Sequence, residues 1–188
     1  MRWLGIGAAL ALLPAMPAGA AGPATLEYQV KATFLYNFTK FIEWPAGALA
    51  AGDAPFEVGI VGSNPFGPYL AESMAGESVR GRPVRVVEFR GPEDVRPCAV
   101  LFVPDAMGDR LADITARLGG APVLLIGESP GFAERGGTIN FFMLDNKVRF
   151  EINPTAARAV GLQISSKLLA IAKVVGSEKA ETGRASGQ

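Results

Sequence analysis

The stretch GFAERGG (131–137), TINFFML (138–144), Asp145-Asn146 and KVRFEI (147–152) decides the fold of this chain. Two strand-like runs separated by two residues that tolerate positive φ predict a tight β-hairpin. Pairing Leu144 with Lys147 across the turn sets Met143 opposite Val148, Phe141 opposite Phe150 and Ile139 opposite Ile152. These pairs share one face, and it is wholly apolar. The other face sets Phe142 opposite Arg149 and Asn140 opposite Glu151. A slip of one residue would turn Arg149 and Glu151 against apolar partners, so the register is specified locally. On the second face Arg149 is predicted to lie over the Phe142 ring and Glu151 to accept a hydrogen bond from Asn140. The apolar face needs a core, and the remaining segments must supply it.

Downstream, Asn153 caps a short helix that has Pro154 at its first position and Gly161 beyond its end. Residues 162–164 read as a link. Ser165 or Ser166 caps a last helix carrying Leu168, Leu169, Ala172 and Val175 on one face, with Gly176 as its stop. Residues 177–188 are polar and small and predict a disordered tail.

Upstream, residues 26–42 place Val30, Phe34, Leu35, Phe38, Phe41 and Ile42 on one helical stripe, with Lys31, Asn37, Lys40 and Glu43 on the opposite side. Thr25 is the candidate N-cap, and Trp44-Pro45 stops the helix. Residues 46–55 read as a loop and 56–61 as a strand. Gly62-Ser63-Asn64-Pro65 then turns into a helix capped by Asn64. No dinucleotide fingerprint or phosphate-loop signature accompanies that turn. Residues 82–89 alternate as a strand around Val84, Val86 or Val87, and Phe89. Residues 99–103 and 123–126 are unbroken apolar runs, as strands buried on both faces require. Between them, Met107, Leu111, Ile114 and Leu118 follow helical spacing until Gly119-Gly120. Strand and helix alternate until the hairpin. This order predicts a single α/β domain over residues 26–176: an open mixed sheet of about six strands flanked by helices, its first four strands mostly parallel, with a C-terminal antiparallel hairpin.

Composition narrows the chemistry. The 188 residues carry 18 basic and 18 acidic side chains with no concentrated cationic stretch, which argues against nucleic acid as a partner. Residues 1–20 have Arg2, an apolar run, Pro14, Pro17 and a small-x-small end at Ala18-Gly19-Ala20. They read as a secretory signal peptide cleaved near Ala20. There is no histidine, so histidine-dependent nucleophile systems and imidazole metal sites are excluded. Cys98 is the single cysteine; it cannot bridge internally, and its place at a strand start reads as a small buried hydrophobe. The acidic residues form no calcium loop and no acid pair. No catalytic residue, metal ligand or cofactor is expected. Open sheets of this kind do bind small molecules beyond the carboxyl ends of their strands. That makes the mouth near Gly62 to Gly67 the alternative functional site of a small-molecule-binding protein.

Several motifs recur in a known order. EYQVKATFLYNFTKFIEWP (27–45), VGSNPFG (61–67), GRPVRV (81–86), CAVLFV (98–103), GFAERGGTINF (131–141), RFEIN (149–153) and ISSKLL (164–169) resemble the YfiR-like family of bacterial periplasmic proteins, over residues 26–175. The family's namesake represses a membrane-bound diguanylate cyclase by binding its periplasmic sensor. The resemblance implies a periplasmic regulatory or sensor protein without catalysis. It would bind the periplasmic part of an inner-membrane signalling protein and act as a homodimer. The partner contacts expected for it lie at Trp44, Glu134, Arg135 and Arg149.

Overall fold

The computed structural model describes residues 25–49 and 53–176. The expected signal peptide and the tail at 177–188 lie outside the described residues. In chain order the elements are α1 (Leu26–Thr39), β1 (Ile42–Glu43), β2 (Phe56–Val61), α2 (Tyr69–Met74), β3 (Ser78–Val79) and β4 (Arg82–Phe89). Then come β5 (Val100–Val103), a 3₁₀ segment (Asp105–Arg110) leading into α3 (Leu111–Leu118), β6 (Leu124–Gly127), β7 (Ile139–Leu144) and β8 (Lys147–Ile152). The last elements are α4 (Pro154–Ala159), β9 (Gln163–Ile164), α5 (Ser166–Leu169) and β10 (Lys173–Val174).

The main sheet has eight strands in the order β10-β8-β7-β6-β5-β2-β4-β3. β4, β2, β5, β6 and β7 run parallel to one another, β3 pairs antiparallel with β4, and β7 and β8 form the antiparallel hairpin. Its register is the one the sequence dictates, from Leu144↔Lys147 to Ile139↔Ile152. Asp145 and Asn146 both take positive φ, at 50° and 56°, as a turn matched to the strands' own twist requires. The sheet is wider than the six strands expected because two-residue strands, β3 and β10, extend its two edges.

Strand alternation sorts the core into two layers. Val58, Val100, Phe102, Leu124, Ile126, Ile139, Phe141, Phe150 and Ile152 face the layer made with α1, α2, α4 and α5. Val61, Leu101, Val103 and Leu125 face the other layer, made with α3 and Phe132. α1 lies across the hairpin: Phe38 meets Phe141 and Phe150 at ring-centroid distances of 5.8 and 5.0 Å, and Phe34 meets Phe150 at 5.4 Å.

Three expectations are corrected. The first helix ends at Thr39 rather than reaching 42, because Ile42 and Glu43 pair with Ile164 and Gln163 and so draw the chain into a small second sheet. Lys31, expected on the outer side of that helix, is buried, and Val30, expected inside, is exposed. The reason is an ionic partner, Glu128, waiting inside. The last helix stops at Leu169, and Lys173 and Val174 leave it to pair in parallel with Glu151 and Ile152. A free strand edge beside β8 outcompetes further helix at this β-branched end.

Candidate functional site

The hairpin packs one face against α1, and its second face carries its polar side chains. Asn140, Phe142 and Leu144 on β7 share the second face with Lys147, Arg149 and Glu151 on β8, by strand alternation. At its base Asn140 Nδ2 donates to Glu151 Oε1 at 3.2 Å, as the sequence predicts, and Lys173 Nζ donates to Glu151 Oε2 at 2.9 Å. That hydrogen bond to Glu151 holds the Lys173 ammonium above its usual range, with Glu134 adding at longer reach. The cation over the Phe142 ring is Lys173, 5.8 Å from the centroid, rather than the Arg149 expected. β10 brings Lys173 there. Toward the tip this face changes character: Leu144 is 53% exposed, with Lys147 and Arg149 exposed beside it, while Met143 is 47% exposed on the face of Phe141 and Val148.

The four expected contact residues do not form one group. Glu134 and Arg149 are exposed and border the second face. Arg135 is exposed, but its guanidinium braces its own loop, donating to Ser129 Oγ at 3.0 Å and to the Pro130 carbonyl at 3.3 Å. It also lies 3.6 Å from the Asp109 carboxylate. Trp44, expected to join an exposed contact surface, is only 6% exposed. Its Nε1 donates to the Ala99 carbonyl at 3.3 Å, and its indole stands edge-on to Phe56 at 5.3 Å. Ala99 precedes β5, which puts Trp44 at the end of the sheet away from the hairpin turn. A tryptophan beside a proline reads as surface or core equally well, and its burial is settled by Phe56. The sequence reading also missed Lys147 and Lys173. Lys147 was legible, since it shares Arg149's face by alternation. Lys173 was not, because its segment has helical spacing.

The mouth at the carboxyl ends of the parallel strands is filled by the chain's own side chains. Phe66 is fully buried and meets Tyr28 and Phe102 at 5.4 and 4.8 Å. A Cβ on Gly62 would stand 3.0 Å from Met107 Cγ. Beside it Glu128 accepts from Lys31 Nζ at 2.6 Å, Tyr28 Oη at 3.2 Å and the Asp105 backbone N–H at 3.2 Å. Lys31 also pairs with Glu27. Burial, and then the Glu128 carboxylate, hold the Tyr28 hydroxyl well above its ordinary value. This node fastens the first turns of α1 to the end of β6.

At the opposite end, a cleft of about 460 Å³ is lined in part by Glu57, Arg85, Arg96 and Cys98. Glu57 accepts from both arginines, from Arg96 Nη1 at 2.5 Å, and the Arg96 bond holds its carboxyl below the usual range. The Cys98 sulfur lies 3.1 Å from the Val100 carbonyl, and burial pushes the thiol up to about 12. At neutral pH that leaves roughly a thousandfold less thiolate than an ordinary cysteine. Iodoacetamide is therefore expected to label Cys98 far more slowly in the folded chain than in urea; equal rates would show an accessible thiolate. Among the described residues no cluster of three or more Cys, Asp or Glu could hold a metal ion, and no helix is long and apolar enough to cross a membrane.

Two solved structures are similar in fold. A conserved domain protein from Vibrio cholerae O1 biovar El Tor matches with a TM-score of 0.50 and 14% identity, covering 78% of this chain and 59% of its own. The ABC domain in complex with L-Trp from Streptococcus pneumoniae matches with a TM-score of 0.51 and 11% identity, covering 79% and 60%. This chain thus spans about 60% of the length of each, and at these identities the likeness is one of fold alone. No curated protein matches. The family model described as YfiR/HmsC-like matches residues 28–173, and the chain belongs to that family, whose members are known as periplasmic regulators of cyclic-di-GMP signalling.

Proposed function

We propose that this chain is a periplasmic regulatory subunit that binds the periplasmic part of an inner-membrane signalling protein of the diguanylate cyclase type and lowers its output. It carries out no catalytic step itself. It is exported by the signal peptide at residues 1–20, cleaved near Ala20, and works as a homodimer. The observation that carries the reading is the projecting end of the hairpin. Exposed Leu144 shares a face there with exposed Lys147 and Arg149, and Met143 is exposed on the other face, so the tip offers the apolar and cationic groups of a surface that docks a protein partner. Family membership supplies the cellular setting.

Of the contacts first expected, Arg149 and Glu134 remain part of this surface. Trp44 serves the core instead, and Arg135 is a brace for the loop beside it. The mouth near Gly62 is packed by Phe66 and Met107, so no observation favours the small-molecule reading.

Recovery of the partner from periplasm on immobilised chain tests the proposal. The double change Lys147→Glu and Arg149→Glu is expected to reduce recovery about tenfold, since reversed charges at a contact repel the same partner they had attracted. Arg135→Glu is expected to change it little. Unchanged recovery with the double variant would remove the hairpin from the interface.

A further inference from the structure

The hairpin reaches beyond the sheet that holds it. β6 pairs with β7 only at Ile139 and Asn140. β10 pairs with β8 only at Glu151 and Ile152. From residues 141 to 144 and 147 to 150 each strand therefore has the other as its single neighbour among the described residues. In a hairpin closed by a two-residue turn, Leu144 and Lys147 bond to one another, and the next pair, Met143 and Val148, turns its N–H and C=O groups outward. An open edge of this kind is a template for another strand, and proteins usually cover or blunt it.

The edge at residues 147–150 has a definite chemical pattern. Lys147 and Arg149 lie on one face, with Val148 between them on the other. Among the described residues neither cation has an ion-pair partner, whereas Lys173, further along, is held by Glu151. A second copy of this chain fits the edge poorly. Antiparallel pairing about Val148 would set Lys147 opposite Arg149 twice, and like charges directly opposite are destabilising.

We infer that residues 147–150 accept an extended acidic segment of the partner as an added strand. The segment carries carboxylates at alternate positions, opposite Lys147 and Arg149, with an apolar residue between them on the Val148 face. Main-chain hydrogen bonds from Val148 provide the attachment, and the alternating side chains provide the selectivity. The inference rests on the regulatory reading above and names how its partner is gripped.

The test uses the full chain and a fluorescent peptide of alternating Glu and Val, with an alternating Lys and Val peptide as control, read by anisotropy. The acidic peptide is expected to bind and the basic one not. Lys147→Glu with Arg149→Glu is expected to reverse that preference. Val148→Pro removes an outward N–H while leaving the bonds between β7 and β8 intact; it is expected to weaken binding about tenfold or more in the folded chain. The same loss is expected when the wild-type chain meets an acidic peptide methylated on alternate backbone nitrogens, which leaves the protein untouched. Equal binding of the methylated peptide, or no binding of the acidic one, overturns strand addition. Partner recovery separates this from the wider reading. Recovery lost in the charge-reversed chain but kept in Val148→Pro overturns strand addition and leaves the regulatory role standing. Recovery kept in both overturns docking on the hairpin altogether.

Discussion

Glu128→Ala is expected to lower the stability of the chain by about 3–5 kcal/mol, measured as a fall in the urea midpoint at constant m-value. Glu128 and Lys31 side chains are 6% and 5% exposed, and their charged atoms are 2.6 Å apart. Removing the carboxylate leaves an ammonium in the core with only the half-exposed Glu27 to compensate it. It also strips an acceptor from Tyr28 and from the Asp105 N–H. Taking away both charges together is a different experiment. Lys31→Met with Glu128→Leu is expected to recover most of the loss, because well-packed apolar groups replace a buried ion pair at little net cost. A loss below about 1 kcal/mol in the single variant, the value of an exposed pair, would mean that this node does not anchor α1.

The second large effect is expected at Phe132. Its ring is fully buried and is clamped between two glycines. A Cβ on Gly127 would stand 2.5 Å from the ring, and one on Gly137 would stand 2.1 Å from it and 2.9 Å from the Phe132 carbonyl. Phe132→Ala is expected to cost about 3–5 kcal/mol through the cavity it leaves. Gly137→Ala is expected to cost about 1–3 kcal/mol by overpacking. The two changes touch the same space, so the double variant is expected to be less unstable than their sum. Strict additivity in urea titrations would show that ring and glycine do not share that space.

The hairpin was legible because three independent local signals coincide there. Asp145-Asn146 accepts positive φ, the apolar alternation fixes the register, and the charged residues fall on one side. β2 and β4 were equally plain, each an apolar or alternating run between turn residues. What failed were positions whose role is set by a distant partner. Lys31 is a surface residue by any helical pattern until Glu128, far along the chain, makes its burial favourable. Trp44 needed Phe56 and Ala99 to show that it faces inward. Lys173 and Val174 follow a helical pattern, and only the open flank of β8 makes them a strand. The docking surface was half legible for the same reason. Arg149 followed from alternation, but Arg135 could not be assigned to its own loop before Ser129 and Asp109 were placed beside it.

The aromatic contacts of α1 have a consequence for how the chain acquires its structure. Phe34 and Phe38 near the start pack against Phe141 and Phe150 near the finish, and Lys31 bonds a residue 97 positions later. Contacts that span so much of a sequence make folding slow. A nascent chain cut short before residue 139 holds its first helix with nowhere to seat Phe34 and Phe38, so the polypeptide stays open until about its last quarter has been made.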